Sequence, residues 1–184
     1  MKKLVLLPLL LLPTWVLAHP GHEQTSISLG LVNGALHPLL GLDHLLALLA
    51  VGILSAQAKG QHRFWVPVTF IAMMGLGFYG AHAGVHGLAS GTIETLIMMS
   101  LFVGGGFVLV ASVLKRYQIL TQLGAWGMTG FAVFHGLAHG LEVPAEAGLN
   151  SFAFGFLFMA SVLIAVSYQA WKQLSRRITH IATR

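Results

Sequence analysis

Five apolar stretches, separated by short polar connections, follow the first 26 residues of the chain. They cover residues 27–56, 64–83, 93–114, 120–141 and 149–171. Each of the last four has about the 20 residues that an α-helix needs to cross a bilayer. The pattern therefore predicts an all-α integral membrane protein in which residues 27–171 form a bundle of five transmembrane helices.

The first apolar stretch is too long for one straight span at about 1.5 Å per residue. It contains His37-Pro38 and, soon after, Gly41. A proline in a helix interior removes a backbone hydrogen bond and kinks or breaks the helix. We expect the first helix to be kinked or broken near Pro38–Gly41, which would expose backbone carbonyls at membrane depth.

Composition agrees with a membrane protein, because 56% of the residues are hydrophobic and only 8% are charged. The chain has no cysteine, which excludes disulfides, thiolate metal sites and iron–sulfur ligation within it. The net charge of +5 does not indicate nucleic-acid binding, because the lysines and arginines lie in the connections on one predicted side of the membrane.

The N-terminus resembles a secretory signal peptide. Two lysines precede a leucine-rich core at 4–12, and Ala18 offers a small residue at the cleavage position. An uncleaved membrane helix is the alternative, but the core is short and is interrupted by Pro8 and Pro13. We therefore predict a cleaved signal peptide over residues 1–18.

Cleavage after Ala18 would leave a mature chain that begins HPGHE. The free amine and imidazole of His19 could chelate a metal ion, and His22 is a second nearby imidazole. This pattern predicts a periplasmic metal-capture tail over residues 19–26, with a simple disordered polar tail as the alternative.

With this mature N-terminus outside the membrane, every lysine and arginine of the mature chain falls on the cytoplasmic side. These residues are Lys59, Arg63, Lys115, Arg116, Lys172, Arg176, Arg177 and Arg184. The distribution predicts a bacterial inner (plasma) membrane protein with a periplasmic N-terminus and a cytoplasmic basic tail over residues 172–184.

Ionisable residues occur inside the predicted spans, where a charge costs about 2.5–3.5 kcal/mol on insertion scales and is usually functional. Asp43, the chain's single aspartate, adjoins His44, seven residues after His37. Two more sets of ionisable residues have helical spacing and lie near the outer ends of other spans. The first set is His82 and His86, and the second is His135, His139 and Glu142. Imidazole and carboxylate groups suit a divalent transition metal, so we predict one converging metal site. Separate hydrogen bonds between helices are the simpler interpretation of each histidine alone.

The segment HPLLGLDHLLALLAVG, residues 37–52, resembles the signature of the HupE/UreJ family. FHGLAHGLE, residues 134–142, is similar to that family's second histidine-bearing segment, and the HPGH start after Ala18 also fits. The resemblance implies a permease for nickel or cobalt that supplies hydrogenase or urease maturation proteins. It also implies that the core metal-pathway residues are His37, Asp43, His44, His135, His139 and Glu142. The metal would be cargo, with no permanent cofactor.

Two other functions use the same residues. An intramembrane zinc hydrolase would need a general base, but the HExxH arrangement is absent because Gly136 follows His135. The sequence also allows a metal-binding accessory protein or sensor that does not transport. No phosphate-binding loop of the GxxxxGK[ST] type occurs, so ATP hydrolysis by that route is excluded. We expect a permease rather than an enzyme.

Overall fold

The computed structural model describes residues 27–85, 87–114 and 118–182. These residues form six α-helices, which confirms the predicted all-α class: α1 (Ile27–Leu40), α2 (Leu42–Gln57), α3 (His62–His82), α4 (Ser90–Val113), α5 (Gln118–Leu141) and α6 (Leu149–Ala182). The predicted signal peptide, the capture tail with His19 and His22, and His86 lie outside the described residues.

The predicted break in the first apolar stretch is confirmed, and it falls at Gly41. The axes of α1 and α2 differ in direction by 82°. Pro38 lies inside α1, one turn before the break. Gly41 is extended and caps α2, and its carbonyl accepts the first helical hydrogen bond from the Leu45 amide. The break therefore turns the chain sharply between His37 and His44.

Three of the described helices have the length and apolarity of membrane spans. Within the described ranges, α3, α4 and α6 are long and apolar enough to cross a bilayer, and the bent α1–α2 pair qualifies together as one broken span. Helix α5 is long enough with 24 residues, but its glycine, threonine and histidine residues make it less apolar. The structure thus supports three to four spans, and the fifth stays a prediction.

Close backbone contact positions α5 against α3. A Cβ atom built on Gly136 would collide with the backbone carbonyl of Met74, and one on Gly77 would collide with the carbonyl of Val133. Small residues permit such contact between membrane helices. Helix α5 also packs against α4 and α2, and α2 itself packs against all five other helices.

A second glycine contact joins α1 to α6. Gly34 lies against the backbone of Phe152, and Gly155 lies against that of Leu31. This contact brings the C-terminal turn of α1, which carries His37, over the C-terminal end of α5. Three buried rings, those of Phe78, Phe152 and Phe156, stack beside that junction.

Candidate metal site

The mouth of the site is formed by His37 at the end of α1, His139 in the last turn of α5, and Glu142 just after α5. The Nε2 atom of His37 donates to the Glu142 Oε2 atom at 2.9 Å. The same Oε2 atom lies 3.8 Å from the Nδ1 atom of His139. One ligand atom from each residue lies within 4.8 Å of the others, which is within reach of a single metal ion.

Four imidazole rings form a continuous row behind this mouth. The ring centroid of His139 lies 4.6 Å from that of His37 and 4.2 Å from that of His44. The His44 centroid lies 4.9 Å from that of His135. We call His37, His139, His44, His135 and Glu142 the histidine cluster. The sequence predicted one converging site, and the structure brings these five residues together; that they bind a metal stays a prediction.

The row ends on Ser100 of α4, whose Oγ atom lies 3.0 Å from the Nε2 atom of His135. Ser100 donates its hydroxyl proton to the carbonyl of Ile97 at 2.6 Å. It must therefore accept a hydrogen bond from His135 Nε2, and a neutral His135 keeps its lone pair on Nδ1. Sequence reasoning missed Ser100. The available signal was its position as the single hydroxyl residue between residues 96 and 111.

Burial increases steeply from the mouth inward. The side chain of Glu142 is 57% exposed and that of His37 is 29% exposed, whereas that of His139 is only 2% exposed. His135 is equally buried. The cluster therefore runs from the protein surface into the helix bundle.

Three buried ring nitrogens of the cluster have no hydrogen-bond partner among the described residues: Nε2 of His44 and both nitrogens of His139. A buried polar atom without a partner costs about 1–3 kcal/mol. These nitrogens belong to adjacent rings of the row. A cation between the two rings would be bound by His44 Nε2 and by one nitrogen of His139, whose other nitrogen carries the proton in the neutral ring.

Asp43 contacts the cluster through His44. Its Oδ1 atom accepts one hydrogen bond from the His44 ring Nδ1 atom and another from the His44 backbone amide, each at 2.9 Å. Holding the proton on Nδ1 leaves Nε2 as the nitrogen available to a metal. Carboxylates commonly orient metal-binding histidines in this way. The structure therefore places Asp43 behind a ligand rather than in the group of residues at the mouth.

His82 is not brought into the row. It is exposed at the end of α3, and its ring stacks on Phe78 at a centroid distance of 5.8 Å. Phe78 in turn packs on Phe152 and Phe156, which contact His37 and His139. The rings of Phe78, Phe152 and Phe156 thus lie between His82 and the histidine cluster.

The carboxylate at the mouth is held in its charged form. The hydrogen bond from His37 lowers the pKa of Glu142 below its ordinary value, and the charge of His37 lowers that pKa further. Glu142 consequently supplies a negative charge at the exposed end of the cluster.

The fold and site define an all-helical membrane protein that groups imidazoles and a carboxylate within metal-binding reach. The sequence profile of the family described as HupE / UreJ protein matches residues 7–184. The chain belongs to the HupE/UreJ family, a transporter and accessory family associated with nickel and cobalt transport for hydrogenase and urease.

Among curated relatives, the chain is similar to "Protein HupE" of Rhizobium leguminosarum bv. viciae. The two are 33% identical over 154 residues, which cover 84% of this chain and 74% of the relative. No solved structure matches the fold significantly.

Proposed function

We propose that the protein is a secondary permease for a divalent transition metal, with nickel as the first candidate and cobalt as the second. The observation that carries the proposal is the row of four imidazoles with unpartnered buried nitrogens. A single accessory site would need only the residues at the mouth. A row that continues into the bundle provides successive positions for a moving ion.

The ion binds first at the mouth, where Glu142 offers charge and His37 and His139 offer imidazole nitrogen. It then passes between neighbouring rings, whose centroids are 4.2 to 4.9 Å apart. Each position must bind weakly enough to release the ion to the next. An inside-negative potential favours inward movement by about 2.3 kcal/mol per charge per 100 mV, hence about twice that for a divalent ion.

The orientation that we propose places the cluster at the periplasmic side of the bacterial inner membrane. The support is the charge distribution, since the lysines and arginines of the described residues lie toward the opposite ends of the helices. In this orientation the mature N-terminal tail, with His19 and His22, would capture scarce ions beside the mouth. Maturation proteins for hydrogenase or urease would receive the ion inside.

Uptake by the purified full chain in proteoliposomes tests this function. With a potassium diffusion potential that is negative inside, we expect nickel to accumulate above the level in protein-free liposomes. His139→Asn should abolish the accumulation, because it removes the buried ring that contacts both His37 and His44. His62→Asn is the matched control, since His62 pairs with Trp126 at the other end of the bundle.

The alternative function of a metal-binding accessory protein makes a different prediction in the same experiment. A metal-binding accessory protein would bind nickel but would not accumulate it in the vesicles. Wild-type accumulation no greater than in protein-free liposomes, at verified incorporation, would contradict the permease assignment.

A further inference from the structure

The core-facing stripe of α5 is polar at both ends, and the buried Thr129 between them donates its hydroxyl proton to the Ala125 carbonyl of the same helix. Its residues alternate at spacings of three and four, which keeps them on one helix face. In order from the mouth inward they are His139, His135, Ala132, Met128, Ala125, Thr121 and Gln118. The three middle residues are fully buried and close the stripe between its two polar ends. The histidine cluster uses only one of these ends.

The other polar end opens into a cavity of about 480 Å³ between α2, α4, α5 and α6. We call this the amide cavity. Its polar lining residues are Gln57, Lys59, Ser112, Gln118, Thr121 and Ser175. Among the described residues that line it, none is a carboxylate. Lys59 is exposed at its rim.

Three helices place the amide cavity at the same distance from the histidine cluster. At about 1.5 Å per residue, His44 to Gln57 on α2 spans about 20 Å, and Ser100 to Ser112 on α4 spans about 18 Å. His135 to Thr121 on α5 spans about 21 Å. Each helix thus contributes polar residues to both ends of the bundle. The buried hydroxyl residues between them, Ser55 on α2 and Thr129 on α5, donate to carbonyls of their own helices.

One acceptor in the amide cavity lacks a partner. Ser112 donates its proton to the carbonyl of Val108 at 2.6 Å. Its Oγ atom must therefore accept the 2.9 Å hydrogen bond from Gln57, which fixes Nε2 as the donating end of that amide. The Oε1 atom of Gln57 is left buried without a hydrogen-bond partner among the described residues. A ligand in this cavity would have to bring a positive charge or a donor hydrogen.

We propose that the amide cavity is the release site of the transported ion, where a hydrated divalent cation is held by the Gln57 amide oxygen through its water. The inference rests on the permease function proposed above. Imidazole suits nickel, whereas carbonyl oxygen and water suit harder cations, so neutral oxygen groups bind nickel less strongly than imidazole does. The cation binds only weakly in the amide cavity, because Lys59 contributes a positive charge and no carboxylate of the described lining opposes it. The ion therefore leaves toward the basic end of the molecule.

Two substitutions test the release site in opposite directions. Gln57→Leu removes the unpartnered oxygen, and we expect a several-fold fall in nickel uptake with an unchanged dissociation constant for nickel at the histidine cluster. Gln173→Leu, an exposed amide on α6 at the same end, is the matched control and should transport normally. Lys59→Glu adds a carboxylate at an exposed position, so folding is not at risk. We expect it to bind a second nickel ion per chain and to slow uptake.

Uptake in proteoliposomes and titration calorimetry with nickel alone provide the two measurements. Normal uptake by Gln57→Leu, together with a single bound ion in Lys59→Glu, would overturn the release site and leave the permease function standing. A wild-type protein that accumulates no nickel would overturn both proposals.

Discussion

Asp43 illustrates how the site depends on single residues. A carboxylate within a membrane span is costly unless it serves a function. Both of its hydrogen bonds to His44 converge on the same Oδ1 atom. The side chain therefore fixes the orientation of the imidazole beside it. An asparagine would keep the size of this group but lose the charge and one of its two acceptor oxygens.

Asp43→Asn should weaken nickel binding about 10- to 100-fold, the usual cost of removing a residue that orients a metal ligand. The physical reason is the loss of charge: a neutral amide oxygen accepts from His44 Nδ1 more weakly than a carboxylate does, so it no longer favours the tautomer with Nε2 free. Titration of the purified variant with nickel measures the effect. His82→Asn is the control, since an aromatic layer separates His82 from the row. Equal nickel affinity in wild type and Asp43→Asn would show that the carboxylate does not support the site.

Sequence spacing predicted part of this site at the residue scale. His135, His139 and Glu142 share a helix face, and the structure places them together with His37 and His44. Spacing fixes which face a residue occupies but not which helix lies opposite. That is why His82, at the end of a neighbouring helix, was included in the prediction although Phe78 holds it apart. Ser100 was missed for the same reason.

At the scale of elements, the contact between α3 and α5 fixes the depth of the cluster. Gly136 lies between His135 and His139, and a side chain there would strike the backbone of α3 at Met74. Backbone cannot move aside as a flexible side chain can. The close approach therefore holds both buried histidines at a defined depth relative to α3.

Gly136→Ala should destabilise the protein by about 1–3 kcal/mol, the usual cost of overpacking a core. Thermal unfolding in detergent, followed by tryptophan fluorescence, measures this loss as a lowered midpoint. Gly130→Ala in the same helix is the matched control. The space beside Gly130 is open, so alanine should leave stability equal or slightly higher. A midpoint for Gly136→Ala that matches the control would mean that α3 and α5 are not in close contact.

Element boundaries were predictable where proline and glycine interrupt an apolar run. The break at Gly41 follows from Pro38 and Gly41, because local backbone chemistry decides it. The number of spans was less predictable. Helix α5 buries histidines and threonines among its neighbours, so its average apolarity does not reveal whether it crosses the membrane.

The whole molecule has opposite charge at its two ends. Among the described residues, the carboxylates lie at the end with the histidine cluster: Asp43, Glu94, Glu142 and Glu146. The described lysines and arginines lie at the end with the amide cavity: Lys59, Arg63, Lys172, Arg176 and Arg177. This polarity attracts a cation to one end and disfavours its retention at the other. It also agrees with the positive-inside rule for the proposed orientation.

The central claim is that the histidine cluster binds the transported ion. X-ray absorption at the nickel edge, on the purified full chain loaded with one equivalent of nickel, tests it most directly. We predict a ligand set of imidazole nitrogen and carboxylate oxygen, and a smaller imidazole contribution in His139→Asn but not in His62→Asn. A spectrum of fully hydrated nickel, or an imidazole contribution that is unchanged in His139→Asn, would contradict the account.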